Sequence, residues 1–119
     1  ILHRATEHNS VPDTTAELDL SRVMQCMDTT NGVMALFRHL QRTAQDCGFG
    51  EIGCFQVGGL SDSGITVACG VPTVCGMGVR GEGNHTPDEY AEVESLFQRS
   101  VLAACAAYTL NDDFAKAAE

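Results

Sequence analysis

The stretch Gly81 to Glu92, GEGNHTPDEYAE, sets His85 directly ahead of what reads as a helix start. Thr86 fits an N-cap, and Pro87 suits the first helical position, whose N–H lacks a partner in any case. Glu89, three residues after the cap, completes a capping box. Asp88 and Glu89 suit the positive end of the helix dipole, which disfavours a protonated imidazole beside it. His85 is therefore expected neutral near pH 7, the form that coordinates zinc. The same residues equally describe a histidine hydrogen-bonded in a loop. A second candidate is Gly58-Gly59-Leu60-Ser61-Asp62, where paired glycines let the backbone approach a ligand and a following helix start offers unpaired N–H groups. Such a site suits a carboxylate or a developing oxyanion. Ser61 or Asp62 can also be no more than the N-cap of a short helix. The phosphate-loop pattern G-x-x-x-x-G-K-[ST] is absent.

These candidates need elements to hold them. Residues 14–24 alternate apolar and polar side chains and predict a half-buried strand, with Asn9 to Pro12 as a turn before it. Residues 33–47 place Val33, Phe37, Leu40, Ala44 and Cys47 on one helical face, and Gly48 follows as a C-terminal cap. Residues 51–57 predict a strand ending at Gly58-Gly59, LSDSGITVACG a short helix, and PTVCGM a second strand. A last helix is expected from about Pro87 to Leu110, with Tyr90, Val93, Phe97, Val101, Ala104 and Tyr108 as its inward stripe. This alternating order predicts an α/β fold, a partial mixed or parallel sheet with packed helices, and ligands gather beyond the carboxyl ends of such strands. The two glycine-rich segments, 58–59 and 76–85, are expected to line one crevice.

Composition narrows the function classes. In 119 residues, 16 acidic side chains against 7 basic give a formal charge of −9, and Lys116 is the sole lysine, so no basic stripe exists for nucleic acid. Hydrophobic residues make up 44%, yet no window approaches the run of about 18 apolar residues that spans a membrane. The opening ILHRATEHNS lacks the apolar core and cleavage site of a signal peptide, which leads to the expectation of a soluble cytoplasmic protein. Cysteines 26, 47, 54, 69, 75 and 105 form no C-x-x-C pair and are expected as buried free thiols.

Taken in order, GGLSDSG, GVPTVCGMG and GEGNHTPDEYAEVESL resemble the carboxyl-terminal part of the catalytic domain of the co-catalytic zinc exopeptidases and amidohydrolases. That family includes carboxypeptidase G, aminoacylase, acetylornithine deacetylase and succinyl-diaminopimelate desuccinylase. The resemblance covers roughly residues 24–110, judged by motif order. By it, His85 matches the last metal ligand, Gly58, Gly59 and Leu60 match a backbone segment contacting substrate, and Ser61-Asp62 begin the helix behind. Upstream, HNSVPDTTAELDLSR resembles the N-x-V-P-D strand of the family's smaller lid and dimerisation domain, carried here by Asn9, Val11, Pro12, Asp13 and Arg22. The glycine pair that usually precedes the asparagine is replaced by ATEH. Residues 1–23 are accordingly expected as a remnant of the lid strand and 24–119 as part of the catalytic domain.

The resemblance implies two zinc ions activating water against an amide carbonyl, with a glutamate moving the proton, on a peptide or N-acyl amino acid substrate. The amino-terminal half that supplies the family's other ligands and its general base is not in this sequence. One histidine cannot hold zinc where about three protein ligands are the norm. His39 lies mid-helix between Arg38 and Arg42, and His3 and His8 sit near the start. The expectation is a fragment or truncated member, inactive alone and without tight zinc, whose partners are the missing half, substrate and a second copy in a homodimer. The alternative is a non-catalytic α/β assembly or small-ligand-binding module.

Overall fold

The computed structural model describes residues 6, 11–21 and 23–111. Asn9 and Arg22 of the lid resemblance, together with His3 and His8, lie outside these residues. Among the described residues the elements run α1 (Asn31–Asp46), α2 (Ser63–Ala68), β1 (Gly81–Glu82), β2 (Tyr90–Ala91) and α3 (Val93–Thr109), a small mixture of helix and antiparallel strand.

Helix α1 forms where its spacing requires. Thr30 caps it, the side-chain oxygen accepting the Val33 N–H at 3.2 Å, and Val33, Leu40 and Ala44 are buried with Phe37 half-buried. It ends in a Schellman motif: Gly48, at φ +74°, donates to Gln45, and Phe49 donates to Ala44. The same closure recurs after α2, where Gly70 at φ +82° donates to Val67 and Val71 donates to Thr66. Gly64 of α2 lies against the backbone carbonyl of Gln25, a contact that leaves no room for a Cβ and docks the preceding segment onto the helix.

The core sits between α1 and α3. Leu40 and Ala44 meet Leu102 and Ala106, with Phe49, Ile52, Val74 and Met77 packed around them. His39 ties the same two helices, its Nε2 lying 2.9 Å from the Ala106 carbonyl and 3.3 Å from Thr109 Oγ1. Buried Thr43 is satisfied by donating to the His39 carbonyl at 3.0 Å. At the other end of α3, Glu92 N–H donates to the Arg80 carbonyl at 2.8 Å. Arg80 N–H in turn donates to Ser95 Oγ at 2.8 Å, and an Arg80–Glu92 ion pair closes at 3.0 Å.

Several expectations are corrected. Residues 14–20 and 23–24 form no strand; Ser21 instead donates N–H and hydroxyl to Asp19, bending the chain and holding the Asp19 carboxyl below its usual range, the backbone bond contributing most. The Val11–Asp13 segment is a turn with Asp13 at φ +59°. Residues 51–57 and PTVCGM are also irregular: Phe55 and Val57 are 87% and 71% exposed with no strand beside them, and Gly76 at φ +75° breaks the second run. A strand needs a neighbour for its backbone groups, and apolar composition does not supply one. In place of a parallel layer, β1 and β2 pair antiparallel, Gly81 opposite Ala91 and Glu82 opposite Tyr90. The last helix starts at Val93, not Pro87, because Tyr90 and Ala91 are taken by that pair. Its buried residues are Ser95, Leu102 and Ala106, while Val93, Phe97 and Tyr108 of the expected inward stripe are 83%, 69% and 91% exposed. The six thiols are free as expected, but Cys26, Cys54, Cys69 and Cys75 are exposed and Cys47 and Cys105 half-buried.

No described helix is long and apolar enough to cross a membrane. The chain spreads over 60 × 40 × 20 Å with a radius of gyration of 19.3 Å, where a compact domain of this length gives about 13–14 Å. Its accessible surface, 9523 Å², exceeds by about 3,000 Å² that of a compact monomer of its mass.

Candidate functional site

His85 stands at the tip of the β1–β2 hairpin, which is pinned from within. Gly83, at φ +75°, accepts from Thr86 twice, N–H at 3.0 Å and hydroxyl at 2.6 Å, and Glu89 N–H donates to Thr86 O at 3.2 Å. Glu89 Oε2 then reaches back to the His85 N–H at 3.3 Å. The expected capping box is not formed: Glu89 accepts the His85 N–H and not that of Thr86, whose N–H goes to Gly83, and the bond closes a turn and not a helix end. His85 itself is exposed and adopts φ +66°, a left-handed conformation costing an L-residue about 1 kcal/mol or more. The helix dipole invoked for a neutral imidazole begins at Val93, eight positions on, and its field fades beyond the first turn.

Gly58, Gly59 and Leu60 are exposed, Leu60 by 68%, and lead into α2. Asp62 is the N-cap but makes no side-chain capping bond. Ser61 does the local work: its Oγ accepts the Ser63 N–H at 3.2 Å and lies 3.1 Å from Ser63 Oγ and 3.2 Å from Cys75 Sγ. These hydroxyls, Ser61 first and Ser63 second, hold the Cys75 thiol below its ordinary range, helped by the Gly76 backbone and opposed by slight burial. Thr66 and Thr73, 2.8 Å apart, make a second tie between α2 and the following segment. Ser63 and Cys75 lie within GGLSDSG and GVPTVCGMG but carry no expected role there; their meeting depends on the turn at Gly70, which no spacing announces. Near the core, Cys105 beside Cys47 pushes the Cys47 thiol up, chiefly through a hydrogen bond to it.

Among the described residues, no hydrogen bond joins His85 to the Gly58–Ser61 segment, and no three His, Cys, Asp or Glu side chains cluster where one ion could bind. The donors present therefore do not fit a zinc centre. Two open grooves are formed elsewhere. One, of about 290 Å³, is lined by Arg38, Gln41, Arg42, Gln45, Glu51 and Ile52. The other, of about 310 Å³, lies between the start of α1 and the end of α2, at Thr30–Gly32, Val67 and Gly70–Pro72.

Comparison with protein-family models, with curated proteins and with solved structures found no match to this chain.

Proposed function

We propose that this chain is one part of a zinc-dependent metallopeptidase or amidohydrolase that cleaves a peptide or N-acyl amino acid amide bond, and that alone it has no hydrolase activity. The observation that carries this reading is His85, an exposed imidazole held in a left-handed turn by a carboxylate and two threonine bonds. Backbone strain on a non-glycine residue persists where its surroundings enforce it, often at functional positions. The ordered motifs around Gly58–Ser61 and His85, and an accessible surface about 3,000 Å² above that of a compact monomer, support the same reading. In it, Gly58, Gly59, Leu60 and Ser61 contact substrate and His85 is the chain's single contribution to the metal. The remaining ligands and the general base come from an amino-terminal half, and the protein works in the cytoplasm. Co-expression with the polypeptide encoded upstream tests this: the complex should bind zinc and release amino acids from N-acyl substrates. His85→Ala should sharply lower turnover and leave the fold intact. Undiminished activity in that variant, or a complex without zinc, overturns the proposal.

A second reading is a non-catalytic module binding a small acidic ligand, favoured by the groove beside α1. Arg38 and Arg42 stand one helical turn apart there on an otherwise acidic chain, and no ion pair is formed by either among the described residues. Tight binding of a dicarboxylate, lost in Arg38→Ala and Arg42→Ala, would support it over the hydrolase.

A further inference from the structure

Helix α3 has two faces, and among the described residues only one packs against another helix. The face turned to α1 carries Ser95, Leu102 and Ala106, while the opposite face carries Val93, Phe97, Ser100, Ala104 and Tyr108, spaced by three or four residues along four turns. No charge interrupts that open face: Arg99 lies on the packed side, four residues after Ser95 and three before Leu102, and Glu94 stands at the margin beside Val93. Spacing of four, three, four and four keeps these five side chains within about a quarter of the helix circumference.

We propose that this seam is where two copies of the chain associate, as an antiparallel helix pair about a twofold axis passing between Ser100 and Val101. The pattern of sizes selects this arrangement. Reversing one copy about that point sets Phe97 against the partner's Ala104 and Val93 against the partner's Tyr108, so bulky side chains enter positions left open by small ones. Parallel pairing would put Phe97 against Phe97 and leave a void along the alanines. The antiparallel pair also opposes the two helix dipoles.

The area suffices. Val93, Phe97 and Tyr108 of the seam, with Leu96 at its margin, are 83%, 69%, 91% and 54% exposed, which at roughly 150–200 Å² per side chain offers about 500 Å² on each copy. The pair therefore buries about 1,000 Å² before smaller residues and rim atoms are counted, the size at which specific interfaces begin. This inference stands apart from the hydrolase reading and survives its failure.

Sedimentation equilibrium of the 119-residue chain, up to about 100 μM, tests it. Two copies of 12.7 kDa should give a mass near 25.4 kDa. Phe97→Glu and Ala104→Lys should each weaken association at least about tenfold while circular dichroism stays unchanged, because both side chains are exposed. The double variant should regain the dimer, since reversal brings the carboxylate introduced at position 97 of one copy to the ammonium introduced at position 104 of the other. A wild-type mass of 12.7 kDa throughout overturns the proposal, as does a dimer that ignores both single changes or a double variant that stays monomeric.

Discussion

Replacing Ser95 by alanine should loosen the hairpin that carries His85. Ser95 is 1% exposed, and its hydroxyl does two things: it donates to the Glu92 carbonyl at 2.6 Å and accepts the Arg80 N–H at 2.8 Å. The Glu92 carbonyl loses little, because the Ser95 N–H also donates to it at 3.0 Å. The Arg80 N–H, by contrast, is left without an acceptor in a partly buried place, which costs roughly 1–3 kcal/mol. Alanine's better helix propensity returns about half a kcal/mol, so a net loss of about 1–2 kcal/mol is expected. In urea that lowers the unfolding midpoint by roughly 0.5–1 M. The specific readout is amide exchange: the Arg80 N–H should exchange much faster in Ser95→Ala, whereas amides inside α1 should move only with global stability. An Arg80 amide as protected as in the parent, with the midpoint unmoved, would refute the assignment of that hydroxyl as the hairpin's anchor.

Leu102→Ala should cost about 2–5 kcal/mol in the same urea assay, because Leu102 is 2% exposed against Leu40, Ala44 and Ala106. Leu110→Ala, at a site 43% exposed, should cost under about 0.5 kcal/mol, and equal losses would count against the core as described. His85→Gly should raise stability by about 1 kcal/mol, since the bond from Glu89 goes to the backbone and glycine relieves the left-handed strain. His85→Ala should not, and a destabilised glycine variant would show the imidazole itself to be structural. Cys75 should be alkylated faster at neutral pH than in Ser61→Ala: losing the hydroxyl raises the thiol, so less thiolate is present at that pH. Mass-resolved iodoacetamide labelling measures this, and equal rates would remove Ser61 from the account.

How far the sequence foretells this fold follows from where the information lies. Helix α1 was legible because its apolar face and its closing Gly48 are local and agree, although it starts at Asn31 behind a Thr30 cap and not at Val33. The short helix α2 was legible for the same reason. The phase of α3 was not, since VLAACAAY has no polar residue to mark its outer side, and packing against α1 selected Leu102 and Ala106 over Phe97 and Tyr108. TPDEYAEV reads as a helix start, yet Gly81 and Glu82 lie close enough to claim Tyr90 and Ala91 as strand partners, and Glu92 becomes the cap. Residues 51–57 have strand composition but find no neighbour among the described residues. Of the chemical candidates, the three-residue spacing between Thr86 and Glu89 pointed to a bond at the Thr86 N–H, but the hairpin turn gives that N–H to Gly83 and Glu89 takes the His85 N–H instead. The His39 tie to Ala106 and the Ser61–Cys75 contact join positions 67 and 14 residues apart, which no local pattern encodes.

The flattened form of this molecule governs how it drifts through a liquid. A plate of 60 × 40 × 20 Å drags more water than a sphere of equal mass, so its Stokes radius exceeds that of a rounded 12.7 kDa protein. On a gel-filtration column one copy would elute early, at a volume that globular standards assign to something heavier.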